Sequence, residues 1–516
     1  MGSLPDEIWH QIFSEFEDVL PLDRWWMYGC HLKHETAKDL LSLSLVCRQF
    51  HRIIQPIIHR SIILVGRGDD DSVAHTNFLR TLGAHPELGQ STRVVSVANN
   101  LPSGYQLSKL GDSFLQDHIN PILEGLELPP AFARRLRKRL FGDPYRDVEG
   151  FAALVIASMP NVELVDCTIE FEHPMLPWIL SGANWLDEKD MANPYDDSSD
   201  DEEDEDEDEG EDENPDDTEE TKLRIKNTKF ANYGLPNLKE VRIRTESGDE
   251  GSTHAFMMEP LLLHPSLKTL RTLGMDWCHD EVEVLKWPNH VSNLMYLDLK
   301  ECLIDATGFQ AILTRCPCLV GLSIQMACCL RAQDRDQDSW EVDLVEFGRI
   351  LRHDGRRLES FELHTLDYED ANSTDGILGS LRELESLKHL KVMRKDLVGR
   401  EIIFGEVDPD AISWEDALPP WIETLYLHWD GSYFSKSWFE TMREGLAKEL
   451  CDLIAGGQFP NLHKIEWERP YDEKPKEWEP EVTIDGWDIS TREEHLWERQ
   501  TSTGCMRTIL LLSKKS

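Results

Sequence analysis

A short apolar pattern, L-x-x-L-x-L, recurs along this chain of 516 residues and restricts its fold more than any other feature. Copies read LPNLKEVRI (235–243), LMYLDLKEC (294–302), LVGLSIQM (319–326) and LESFELHTL (358–366). LKHLKVMRK (387–395), IETLYLHW (422–429) and LHKIEW (462–467) continue the series. HPSLKTLRTLGM (264–275) is a copy without a clear register, and NVELVDCTI (161–169) and TRVVSV (92–97) are degraded earlier ones. Helical patterns precede most copies: FAALVIASMP (151–160), FMMEPLLLHP (256–265), GFQAILTRCP (308–317) and LVEFGRILRH (344–353). GILGSLRELE (376–385) and ETMREGLAKELCDLIAGGQFP (440–460) repeat the form, and a Pro or Gly often closes the helix. One such unit has too little core to stand alone, whereas stacked units bury the Leu positions continuously. The expected fold class is therefore α/β, a solenoid of parallel strands with helices on the outer face. Uneven spacing between copies implies insertions within units. Ordinary α/β with a parallel sheet is the alternative.

The N-terminal stretch follows a different rule. Ile8, Ile12, Phe13 and Phe16 share one face of a helix expected over 4–19, with Pro5 in its first turn. Residues 20–38 break that rhythm and predict a loop that buries Trp25 and Trp26. Asp39 is placed to cap a helix carrying Leu41, Leu45 and Val46. A further helix holds Phe50, Ile53 and Ile54 and stops near Pro56, and 61–65 predicts a strand. Three domains are expected: 1–62, 63–468 and a tail, 469–516, without a clear pattern. Residues 187–221 are expected to be a disordered acidic insertion between units. Asp196–Glu220 holds 19 acids and no base, 19 of the 44 net negative charges, and cannot bury enough apolar area to fold. Loop closure costs rise slowly with length, so such an excursion is tolerable.

Residues 1–62 resemble an F-box. The carriers are Leu4, Pro5, Ile8, Ile12 and Phe13, then Leu40, Leu41, Leu43, Leu45, Val46, Cys47, Arg48 and Phe50. LSLVCRQFHRII is the most specific stretch, while residues 20–38 make the first link longer than usual. The resemblance implies a small all-α hairpin that docks on a Skp-type linker protein and through it on a cullin. All the named carriers except Arg48 would form the linker-binding face. The repeats resemble the cysteine-containing class of leucine-rich repeat that commonly follows F-boxes, as in fungal-like F-box proteins. LMYLDLKECLIDATGFQAILTRCPCL (294–319) is the best copy: Leu294, Leu297 and Leu299 on the strand, Cys302 ending it, then Cys316-Pro317. By this resemblance the chain is the non-catalytic substrate receptor of a Skp–cullin–F-box ubiquitin ligase. The alternative is a cullin-independent scaffold whose acidic tract binds basic proteins such as histones.

Strand side chains alternate between faces, so the residues between the Leu positions line a concave surface. That register gives Arg242, Arg244, Tyr296, Asp298, Lys300, Gln325, Glu362, His364, His389, Lys391, Tyr426 and His428 as candidate substrate-binding residues. The protein substrate is left open. Ser198 and Ser199 precede acids at +3 and are candidate acidophilic-kinase sites. No P-loop, G-x-S-x-G or H-E-x-x-H occurs, so no enzyme activity and no cofactor are expected. Cys316, Cys318, Cys328 and Cys329 lack the C-x-x-C spacing of a zinc site, so no metal is expected. Net charge −44 argues against nucleic acid, and no apolar run reaches membrane length. The acidic start MGSLPDEIWH lacks a signal-peptide core, and 11 scattered cysteines suit a reducing compartment. A cytoplasmic and/or nuclear location is the expectation. Deleting Asp196–Glu220 should leave the melting temperature nearly unchanged in a calorimetric scan, because a solvated excursion contributes little packing. A large drop would mean the tract is packed against a folded surface.

Overall fold

Leucines at two positions of each copy decide the architecture, because they stack in register from strand to strand. The computed structural model describes residues 4–16, 25, 35–65, 71–98, 115–126, 128, 130–142, 148–169, 175–181, 235–245, 252–285, 292–327, 340–365, 374–399, 411–428, 450–451, 453–468, 484–497 and 504–515. The chain forms two compact units. The first comprises Met1–Gly248, Thr253–Leu273 and Val284–Leu294; the second comprises Asp249–Ser252, Gly274–Glu283 and Met295–Ser516.

The first unit opens with three helices, α1 (Asp6–Ser14), α2 (Glu35–Ser44) and α3 (Arg48–Ile58). Strands β1 (Ser61–Val65), β2 (Val94–Ala98), β3 (Leu164–Ile169) and β4 (Glu240–Thr245) follow, then the short β5 (Thr253–His254) and β6 (Thr269–Leu273). They pair in parallel in the order β1-β2-β3-β4-β6. Val95, Val165 and Val241 form one apolar row of partners and Val97, Cys167 and Ile243 the next, all buried.

The second unit holds β7 (Met275–Trp277) beside β8 (Tyr296–Ile304), then β9 (Gly321–Met326), β10 (Ser360–His364), β11 (His389–Met393), β12 (Thr424–His428) and β13 (Lys464–Glu468). From β8 to β13 they pair in parallel in chain order. Leu297, Leu322, Phe361, Leu390, Leu425 and Ile465 make one buried row; Leu299, Ile324, Leu363, Val392, Leu427 and Trp467 make the second. A turn recurs before the strands: the amides of Leu319, Leu358, Leu387, Ile422 and Leu462 donate to the carbonyls of Cys316, Gly355, Leu384, Pro419 and Phe459. The first unit repeats it at Val162, Leu238 and Leu267. This turn places the first Leu of each copy on the apolar side. The unassigned tail is also ordered into the sheet. β14 (Trp487–Trp497) and β15 (Gly504–Lys514) form an antiparallel hairpin whose β15 pairs with β13, so the sheet does not end at 468.

Helices occupy the apolar side. Val148–Ala157, Ala255–Leu262, Ala306–Arg315 and Leu344–Asp354 lie where helical patterns were expected. Phe309 and Phe347 from the last two stack with centroids 4.7 Å apart. Five expectations need correction. Residues 376–385 are not helical: Gly376 and Gly379 take φ of 69° and 71°, and the Leu381 amide donates to the Ala417 carbonyl. Asp39 lies inside α2, which begins a turn earlier. The helix expected over 4–19 ends at Ser14, and α3 continues two residues past Pro56 because buried Ile57 belongs to the hairpin core. Cys302 is buried but does not end its strand. Most of 440–460, the tract 187–221 with Ser198 and Ser199, and Cys328 and Cys329 lie outside the described residues.

Close helix–backbone approach leaves no room for a Cβ at Gly308, where it would stand 1.6 Å from the Trp277 carbonyl oxygen. Gly308→Ala should therefore lower stability by about 3 kcal/mol, the upper range for overpacking, in urea unfolding. An unchanged midpoint would mean the helix can shift away at little cost.

Candidate functional site

Two surfaces carry the candidate residues. The first is the helical hairpin. Its own core is Phe13, Leu40, Ile53, Ile54 and Ile57, with Trp9, Phe16, Leu43, Phe50 and Ile58 packed against it. Trp9 stacks on Phe13 at 5.5 Å and meets Phe50 at 4.6 Å, a role the repeat spacing did not single out. Asp6 joins α1 to α3 by accepting from Gln49 and pairing with Arg52; the Gln49 hydrogen bond, opposed by slight burial and helped by Arg52, holds its carboxyl below the usual range. The Cys47 thiol caps α3 by accepting from the Phe50 amide.

This packing divides the expected docking residues. Phe13 and Leu40 are buried in the hairpin itself, and Leu43 and Phe50 are half-buried against that core, so their first role is to fold it. Leu4, Pro5, Ile8, Ile12, Leu41, Leu45, Val46 and Cys47 are exposed. Leu41 is 50% and Leu45 84% open to solvent. A helical pattern alone cannot separate these two sets, because both recur at helical spacing.

The second surface is the polar face of the strands, and the two units use it differently. In the first unit it is filled. Ser96 on β2 donates to Asp166 on β3 at 2.8 Å, and Arg244 on β4 pairs with Asp166 at 2.5 Å. The Arg244 Nε then donates to the Trp25 carbonyl at 2.8 Å, and Trp25 is buried as its surroundings in the sequence suggested. Arg242 is also buried and pairs with Glu240 at 2.7 Å. Arg242 and Arg244 are thus corrected from open recognition residues to internal ones. Trp25, distant in sequence, explains the burial of Arg244 by supplying its carbonyl there.

In the second unit, the strands align polar residues in three rows. Tyr296, Gly321, Ser360, His389, Thr424 and Lys464 form the first; Asp298, Ser323, Glu362, Lys391, Tyr426 and Glu466 form the second. Gln325, His364, His428 and Glu468 follow one step on. Lys300 reaches them through a bulge: Glu301 adopts φ 47° and the β8 register shifts before Cys302. Lys300 donates to Ser323 at 3.3 Å and lies 3.6 Å from Asp298 and 3.7 Å from Glu362. Glu362 also meets Lys391 at 3.3 Å and His428 at 3.6 Å. Glu468 accepts from the Tyr426 hydroxyl at 2.6 Å and lies 3.2 Å from His428. Tyr426 and His428 are buried in this network, which corrects their expected exposure. Tyr296 is half exposed because Gly321 leaves space for its ring; a Cβ there would lie 2.7 Å from it. Lys391 is exposed and sits over the Tyr426 ring at 5.5 Å, while Asp298, Lys300, Gln325, Glu362, His364 and His389 are half-buried.

Charge states follow from this packing. Burial would raise the Glu362 pKa, but Lys300, Lys391, His428 and His364 outweigh it and hold the carboxyl well below the usual range. Burial would lower the Lys300 pKa, yet Glu362 and Asp298 raise it above the ordinary value. Burial, then the neighbouring His428 ring at 4.4 Å, pushes the His364 imidazole down to about 3. Burial also raises the Cys302 thiol, which behaves as a small packed group. Among the described residues, no helix is long and apolar enough to cross a membrane.

Comparison with known families matches residues 1–64 to the F-box-like model. Compared with curated proteins, the chain matches none.

The low His364 value has a measurable consequence. An unfolded histidine binds its proton near pH 6.5, whereas the folded site accepts it only near pH 3. The unfolded state therefore holds more protons between these values, and stability falls as pH drops below 6.5. In urea titrations between pH 6.5 and 5, His364→Asn should show a flatter loss of stability than the parent chain. Equal slopes would show that the imidazole is protonated in the fold.

Proposed function

We propose that this chain is the non-catalytic, substrate-recognising subunit of a Skp–cullin–F-box ubiquitin ligase. The helical hairpin docks on a Skp-type linker, and the stacked strand–helix units act as a leucine-rich-repeat solenoid that holds a protein target. The observation that carries this reading is the apolar surface of the hairpin. Leu4, Ile8, Ile12, Leu41, Leu45 and Val46 are exposed beside a core of five buried side chains among the described residues. Covering the exposed part of each would contribute about 1 kcal/mol, an exposure cost that a docked partner removes. The F-box-like match over residues 1–64 supports the same surface, since F-box domains generally bind Skp-type linkers. Transfer of ubiquitin is then promoted by effective concentration near a charged conjugating enzyme, without a catalytic group from this chain.

The repeated turn, the in-register apolar rows and the helices on one side support the solenoid reading. Filling of the polar face in the first unit by Trp25 directs target capture to the second unit, at Tyr296, His389 and Lys391. A cytoplasmic and/or nuclear setting belongs to this proposal, because a cullin ligase works there.

Leu41→Asp combined with Leu45→Asp should abolish capture of a purified Skp-type linker while far-ultraviolet circular dichroism stays unchanged. Both side chains already face water in the free hairpin, so the charges cost the fold little. In a desolvated interface each unpaired carboxylate costs several kcal/mol. Retained linker binding by the folded double variant would sink the docking reading.

A further inference from the structure

The ion pairs on the polar face of the second unit are lopsided in depth. Lys391 leaves 47% of its side chain exposed while its partner Glu362 leaves 17%. Lys464 leaves 37% and Arg492 43%, against 13% for Glu466, which both of them pair with. Each carboxylate is sunk among strand side chains and each cation stands toward solvent. Register places all three cations on one side of the sheet: Lys391 and Lys464 on β11 and β13, and Arg492 on β14 through β15. Lys300 is sunk with Asp298 and Glu362 and offsets part of their negative charge. At the far edge Asp488 is exposed but is met by Lys515 at 3.5 Å. In a chain of net charge −44, the solvent-facing ends of these ion pairs are thus cationic and form a positive lip above their sunken carboxylates.

We infer that this face binds a carboxylate-rich peptide segment of the protein target. The inference deepens the proposed function by naming the substrate class of that site, and it rests on the target being captured there. Carboxylates arriving from solvent meet the ammonium and guanidinium ends first, and the sunken glutamates keep those ends spaced along the strands. Charge complementarity of this kind governs encounter rate, register and rejection of wrong partners. Basic segments meet like charge at the lip and are turned away.

The test is fluorescence anisotropy with the full chain and a labelled twelve-residue peptide of glutamate, aspartate, glycine and serine. A matched lysine and arginine peptide serves as the opposite probe. At moderate salt the acidic peptide should bind and the basic one should not, and Lys391→Glu with Lys464→Glu should weaken the acidic peptide about tenfold. Circular dichroism and retained linker capture confirm that the variant is folded. Lys391→Arg with Lys464→Arg should bind as the parent does. Equal binding by the parent and the glutamate variant, or no binding by the parent, overturns the inference. Binding that emerges only after deletion of Asp196–Glu220 also overturns it, since the occupant would then be the chain's own acidic tract. Loss of linker capture by an otherwise peptide-binding parent chain would instead sink the adaptor reading and leave this one standing.

Discussion

Stacking of apolar rows between parallel strands is the constraint on which the rest depends. Each Leu of the pattern is buried only because the next strand supplies a partner at the same height, as Leu297, Leu322, Phe361 and Leu390 do. The strands cannot slip by one residue, since that would turn every apolar side chain to the polar face. Register so fixed also aligns the residues between the leucines. The rows containing Tyr296, Glu362, Lys391 and His428 are therefore a by-product of core packing.

The two polar faces illustrate how one scaffold serves two ends. In the first unit, Arg244 satisfies Asp166 and the Trp25 carbonyl together, so Trp25 is bound to the strands. Removing one member of such a buried pair leaves an uncompensated charge, which makes the contact a structural commitment. In the second unit Tyr426, His428 and Glu468 are buried and Glu362 and His364 half-buried, while Tyr296 and Lys391 stay accessible. Internal neutralisation beneath an accessible rim keeps the face ordered without a ligand. The helical hairpin shows the same division on an apolar scale, with Phe13 and Ile54 folding it and Leu41 and Leu45 left outside.

Periodicity made the strand copies legible. All the copies seen in the sequence, including the degraded ones at 92–97 and 161–169, correspond to strands, because alternation of apolar and polar residues is a local property of a half-buried strand. Helices were legible where one apolar stripe met a following Leu, and illegible at 376–385. There Leu378, Leu381 and Leu384 imitate a helical stripe, but two glycines with positive φ and a backbone bond to Ala417 hold the segment extended. The tail was opaque because β14 is mostly polar and gains its place through pairing with β15 rather than through a pattern of its own.

The amino-acid sequence by itself determined the strand register, the apolar side of each strand and the residue types on the polar side, since these follow from side-chain period and burial. It also determined the F-box-like order of residues at the N-terminus. Only the tertiary structure decided which of those residues face water. Trp25 reaches Arg244 across 219 positions, and Tyr426 reaches Glu468 across 42, so neither burial is encoded near the residue it affects. Exposure is set by whatever the chain lays on top of a side chain, and that is a property of contacts distant in sequence.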